Sequence, residues 1–244
     1  MPDTNNNINL TGRLKSIPVY DHSVYGEAFF KADMSIKRLS GTEDVLPLTI
    51  SERLCGAMPV KAGMRLNVRG QIRSYNQRTE TGSRLLITVF AKEFSPISCN
   101  VFPDNDLSDV STGASIDTDG SAAANMADTA DMADITDYMT DETDVNEAEL
   151  TGYVCKPVIY RTTPFSREIA DMLLAVNRKY GKSDYLPCIA WGRNARFLQT
   201  VRVGERLHLL GRLQSREYKK TLESGEICIR TAYEISCSAV EPLY

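Results

Sequence analysis

The chain repeats itself. Leu10, Thr11 and Gly12 return as Leu150, Thr151 and Gly152, and Val19–Tyr20 returns as Ile159–Tyr160. Asp44, Val45, Leu46 and Pro47 match Asp184, Tyr185, Leu186 and Pro187, and Arg53 matches Arg193. Val60–Gly63 matches Val201–Gly204, and Gly70–Ser74 matches Gly211–Ser215. The separation holds at 140 or 141 residues throughout, so the 244-residue chain is a tandem duplication with a long insertion between the copies. Each copy has about a hundred residues, enough for one small domain.

Both copies read as all-β. Leu66, Val68, Gly70 and Ile72 occupy alternate positions, as do Leu207, Leu209, Gly211 and Leu213. Period-two alternation marks a strand with one buried face. Turn signals at Lys61–Gly63, Thr81–Gly82, Val203–Gly204 and Ser224–Gly225 separate such runs. Only Leu54–Met58 and Asn194–Thr200 suit a short helix. About five strands and one short helix per hundred residues predict a small closed barrel of the OB-fold type, a five-stranded Greek key. Mid-strand Gly70 and Gly211 predict a bulge or sharp bend. Pro47 and Pro187 predict a strand start, an edge or a bulge.

Charge is segregated along the chain. Residues 1–99 carry a net +4 and residues 147–244 another +4, whereas residues 100–146 hold eleven Asp and one Glu with no Lys or Arg. That middle segment is rich in Asp, Ala, Ser and Thr and poor in large apolar residues, so it is expected to be a disordered acidic linker. As a flexible coil it would span about 35–40 Å, more with self-repulsion. It could compete with a polyanion for the basic modules. The expected organisation is a barrel over 1–99, a linker over 100–146 and a barrel over 147–244.

In the second copy, with Leu207, Leu209, Gly211 and Leu213 inward, the outward stripe is Arg206, His208, Leu210, Arg212, Gln214, Arg216 and Tyr218, extended by Lys219 and Lys220. On the strand from Tyr185 to Trp191 those two aromatics share a face, and Arg178, Lys179, Tyr180, Gly181 and Lys182 form a basic loop just before it. Any one of these aromatics alone could equally be core. Aromatics interleaved with cations suit sequence-tolerant binding of a single nucleic-acid strand, because every base has a π-face and every nucleotide a phosphate. The first copy has the stripe Arg65, Asn67, Arg69, Gln71, Arg73, Tyr75 and Gln77, but Val45 and Ser51 replace Tyr185 and Trp191. Phe29, Phe30 and Phe90 lie in apolar runs and are expected in its core; Tyr20 and Tyr25 flank a turn.

At Tyr185–Ala195 and Val203–Tyr218 the second copy resembles the bacterial single-stranded DNA-binding protein family. The resemblance extends more weakly to Val60–Ser74, and the whole is similar to family members with two OB folds per chain. It places the family's four base-stacking positions at Tyr180, Tyr185, Trp191 and Tyr218. It also implies non-catalytic, sequence-independent binding of single-stranded DNA in replication, recombination or repair. A homodimer presenting four barrels, and replication or repair proteins as further partners, are implied as well. Phosphate contacts are expected from Arg178, Lys179, Arg193, Arg212, Arg216 and Lys219, with Arg69, Arg73 and Tyr75 added by the first copy. Two departures stand out. The chain ends Ala239, Val240, Glu241, Pro242, Leu243, Tyr244, without the family's acidic tail and apolar tip, and its first copy is poor in aromatics. The second departure leaves open a primosome-like interaction scaffold with weak nucleic-acid binding.

Other classes find less support. The six cysteines and two histidines show no metal-ligand spacing, so neither a metal nor a cofactor is expected. No paired carboxylates or histidine-centred constellation within the copies supports catalysis. No apolar run is long enough for a membrane helix, and Met1–Asn7 lacks the features of a signal peptide, so a cytoplasmic location is expected.

Overall fold

A computed structural model describes residues 5–57, 60–79, 82–97, 143–221 and 225–244. The expected linker lies outside the described residues except for its last four.

The first half contains β1 (Asn6–Leu14), β2 (Val19–Val24), β3 (Glu27–Lys37), β4 (Glu43–Ser51), α1 (Glu52–Ala57), β5 (Arg65–Thr79) and β6 (Gly82–Pro96). The second contains β7 (Val145–Val154), β8 (Ile159–Thr162), β9 (Glu168–Asn177), β10 (Ser183–Trp191), α2 (Arg193–Thr200), β11 (Arg206–Thr221) and β12 (Ile227–Pro242). A single turn of 3-10 helix at Lys179–Gly181 precedes β10. β7 starts two residues inside the segment expected as linker.

Each half closes into a five-stranded Greek-key barrel. In the first, β1 pairs with β5, β5 with β6, β6 with β4, β4 with β3, and β3 returns to β1. The second repeats this with β7, β11, β12, β10 and β9. β2 and β8 are outer hairpin strands on β3 and β9. Only the β4–β6 and β10–β12 contacts are parallel, and each is two residue pairs long. Pro47 and Pro187 lie mid-strand, each one residue before that parallel pairing begins. This is the OB fold the alternation predicts. The cores hold the inward residues, among them Leu46, Leu48, Ile50 and Ile72 in one barrel and Leu186, Ala190, Leu207 and Leu213 in the other.

The two mid-strand glycines have a steric cause. The register shifts between Arg69 and Gly70, and again between Leu210 and Gly211. A Cβ on Gly70 would sit 2.3 Å from the Phe90 carbonyl oxygen, and one on Gly211 2.4 Å from that of Ser236. The barrel bends there because the backbone of the neighbouring strand comes that close.

The barrels join edge to edge. β1 and β7 run antiparallel, with Asn6 opposite Leu150 and Leu10 opposite Asn146. Because residues 140 apart are equivalent, this pairing is two-fold symmetric, as an isologous interface between two copies would be. The side chains follow the same symmetry. Asn6 donates to the Ile72 carbonyl at 2.7 Å and accepts from the Ile72 N–H at 2.8 Å. Asn146 does the same with Leu213, at 2.7 and 3.0 Å.

Candidate nucleic-acid interface

Alternation on β10 sends Asp184, Leu186, Cys188 and Ala190 inward, all buried. Tyr185 and Trp191 face out, at 44% and 43% exposure, with buried Ile189 between them. Six residues of strand separate the two rings by about 20 Å, so they act as separate stacking positions. Tyr185 lies opposite Ala175 and Trp191 opposite Ile169, and the small Ala175 leaves the Tyr185 ring open on one side. The reverse arrangement, with both aromatics in the core, does not occur. Gly192, with φ 55°, then turns the chain into α2, which Ala195 and Leu198 anchor to the barrel and which begins with exposed Arg193.

β11 and β12 extend this face. Ile189 lies opposite Ser236, which lies opposite Arg212, so β10, β12 and β11 present one outward row. Arg212, Arg216 and Tyr218 are exposed along it. Three details depart from the expected stripe. Gln214 is buried at 9% exposure and donates from Nε2 to Glu234 Oε1 at 2.8 Å. The Glu234 carboxylate also stands 3.7 Å from Arg216 Nε, which tempers that cation. Lys219 is exposed but pairs with Ile229 on the opposite face of the hairpin from Tyr218, whereas Lys220 shares the Tyr218 face. Arg230, directly across from Tyr218, joins the face and was absent from the sequence reading. It is legible only once β12 is registered against β11.

The loop before β10 does two things. Tyr180 stands at 96% exposure with φ 63°, a left-handed conformation uncommon for a tyrosine, and Lys179 beside it is also exposed. Arg178 turns back instead. Its guanidinium grips Asp184, whose side chain is fully buried, with Nε at 2.5 Å from Oδ2 and its terminal nitrogen on Oδ1. From the other barrel, Arg73 donates to the same carboxylate at 3.0 Å and the Ser74 N–H at 2.6 Å. Arg73 and Arg178 therefore stand only about a quarter exposed, their donors engaged at the junction of the barrels. The symmetric site is Asp44, which accepts two bonds from Arg38 at 2.6 Å and one from the Ser215 N–H at 2.8 Å. The Arg73 counterpart there is Gln214, so Asp44 has one cation where Asp184 has two.

In the first barrel Tyr75 faces out at 44% exposure. Arg69 does not join it. Arg69 lines a different depression, across the outer side of β1 and β7, that also contains Glu93, Glu147 and Glu149. Arg65 is buried, donating to the Thr143 carbonyl at 2.9 Å and to Asp144 at 3.3 Å, and Gln71 is buried as well. Phe29 and Phe90, expected in the core, pack on the outside of the barrel. Phe29 lies opposite Ser51 on the outward parity, and its ring contacts Phe90 at 5.8 Å and His22 at 5.2 Å. Among the described residues no cluster of His, Cys, Asp and Glu could hold a metal ion, and no helix is long and apolar enough to cross a membrane.

Residues 145–243 match the Single-strand binding protein family. Single-stranded DNA-binding protein 1 of Streptococcus pyogenes serotype M18 is 30% identical over 82 residues, which cover 31% of this chain and 63% of that relative. The chain thus spans less than two thirds of the curated relative it matches. Crystal structures of the single-stranded DNA binding protein from Thermus aquaticus superpose on the whole fold. A deletion variant covers 100% of this chain and 97% of its own, and the wild type 98% and 93%, each with a TM-score of 0.65 and 16% identity. The likeness in structure therefore extends over both barrels, and the likeness in sequence places the module of residues 145–243 in the bacterial single-stranded DNA-binding protein family.

Proposed function

We propose that the chain binds single-stranded DNA without sequence preference and without catalysis, through the outward face of β10, β11 and β12. The observation that carries this is Tyr185 and Trp191, half-exposed on one strand face beside Arg193, Arg212, Arg216 and Tyr218. Stacking on such rings is worth about 1–3 kcal/mol per base and tolerates any sequence. The cations follow the phosphates, and Lys179 and Tyr180 extend the path past the start of β10. Arg73 and Arg178 act chiefly as anchors between the barrels. Lys219 offers a phosphate contact only where the strand wraps the hairpin, and Arg69 lies off the path. Tyr75 contributes from the first barrel.

The family match supports a role in replication, recombination or repair, in the cytoplasm, together with proteins of those processes. It also supports a homodimer of two-barrel chains that presents four barrels. With both barrels engaged on one strand, avidity would exceed that of either alone by about 10²–10⁴.

The test is fluorescence anisotropy of labelled oligo-dT, mixed-sequence single strand and duplex, each at low and high salt. Comparable affinity for the two single strands, much weaker binding to duplex, and affinity that falls with salt are expected. Weak, unselective binding would refute the proposal and favour the interaction scaffold.

A further inference from the structure

A second groove, of about 520 Å³, opens between the first barrel and the loop before β10. One wall is the outer face of the first barrel, with His22, Phe29, Phe90 and Tyr75; the other is the loop of the second barrel, with Lys179, Tyr180 and Lys182. Arg73 and Arg178 form its floor, and no carboxylate lines it. In a chain with more acidic than basic residues, a groove lined by four cations and no acid is selective for an anion.

The aromatic content is new to this barrel, yet it stands in a familiar place. In the second barrel, Trp191 on β10 lies opposite Ile169 on β9. In the first, the equivalent pair is Ser51 on β4 opposite Phe29 on β3. The large ring has changed strands while keeping its cross-strand position, because directly opposed side chains on one face are close neighbours. Around it the first barrel adds His22 and Phe90 where the second has Thr162 and Ser236. His22 stacks on Phe29 with an interplanar angle of 20°, its Nδ1 held by Asp21 at 2.6 Å, and its side chain is half exposed. Lys31 is paired to that same Asp21 at 2.6 Å, so the cations open to the groove come from the second barrel.

We infer that this groove is a second single-stranded DNA site, composite between the barrels, in which bases stack against His22, Phe90, Tyr75 and Tyr180 while Lys182 and Lys179 meet the phosphates. It rests on the proposed binding function and deepens it. The aromatic-poor barrel takes up DNA through rings at positions that aligning the copies passes over. Tyr180 ties the two sites together, since its loop borders the groove and leads directly into Tyr185. A strand long enough to leave the face of β10 at Tyr185 enters the groove at Tyr180.

The test is ultraviolet crosslinking of the full chain to a long oligo-dT carrying 5-iododeoxyuridine, mapped by mass spectrometry, with Trp191 fluorescence followed in the same samples. Adducts on peptides containing His22, Tyr75, Phe90 or Tyr180 are expected. His22→Ala and Phe90→Ala, each checked for an unchanged circular dichroism spectrum, should weaken binding of the long oligonucleotide roughly five- to a hundred-fold, the range for one lost base stack. Quenching of Trp191 with adducts confined to residues 185–230, or unchanged affinity in both variants, would overturn the composite site and leave the proposed function standing. Absence of both binding and quenching would overturn the two together.

Discussion

Asp184→Asn should loosen the union of the two barrels, and the size of the effect follows from what the carboxylate holds. Its side chain is fully buried and accepts from Arg178, Arg73 and the Ser74 N–H. Asparagine retains one acceptor for the Ser74 N–H but turns an amide N–H₂ toward two guanidinium groups. Breaking a wholly buried ion pair costs about 3–5 kcal/mol. Both guanidinium groups here keep about a quarter of their side chain in water, so a cost of about 2–3 kcal/mol is expected. For a chain of this size that lowers the melting temperature by roughly 4–12 °C. Asp44→Asn is the internal control, because Asp44 faces only Arg38 and Ser215. It should cost about half as much. Thermal and urea unfolding followed by circular dichroism measure both. A melting temperature for Asp184→Asn within two degrees of the parent, or no lower than that of Asp44→Asn, would refute the assignment of Asp184 as the stronger clamp.

Four further outcomes follow from the same geometry. Trp191→Ala, Tyr185→Ala and Tyr218→Ala should each weaken oligo-dT binding by about 1–3 kcal/mol in anisotropy titrations, with little change in melting temperature because all three rings face out. Arg212→Ala should reduce the slope of log affinity against log salt by about 0.7, and Arg216→Ala by less, since Glu234 already offsets that cation. Gly211→Ala should destabilise the chain by at least about 1–3 kcal/mol in urea unfolding, because its Cβ would meet the Ser236 carbonyl oxygen. The Cys188 thiol is held well above the ordinary thiol range by its hydrogen bond with Cys237 and by burial, so maleimide at pH 8 should label it far more slowly than part-exposed Cys228 until the chain unfolds.

Much of the architecture was legible because it rests on local steric rules. Alternating apolar residues required strands, and Gly70 and Gly211 marked the two bulges, since a glycine within an apolar alternation signals close backbone approach. Tyr185 and Trp191 were placed on one outward face by parity alone, and their exposure agrees. What escaped the sequence depended on pairings remote in the chain. Asp44 and Asp184 were seen as repeat landmarks, but their partners Ser215, Arg73 and Ser74 lie more than a hundred residues away. Arg73 and Arg178 consequently looked like free cations. Phe29 and Phe90 looked like core because they sit among apolar residues; only the β3–β4 register, which puts Phe29 opposite Ser51, shows that they face out. Arg69 shares a strand with Tyr75, yet the bulge after it and the neighbouring β7 set it among glutamates.

Trp191 is the only tryptophan in the chain, so its fluorescence reports a single point on the proposed DNA path. Titration with oligo-dT at low and high salt is the most direct test. Strong quenching, with an affinity that falls as salt rises, is the result predicted if a base stacks on that ring and cations neutralise the phosphates around it. Tight binding that leaves the fluorescence unchanged would take DNA off the β10 face and contradict the account.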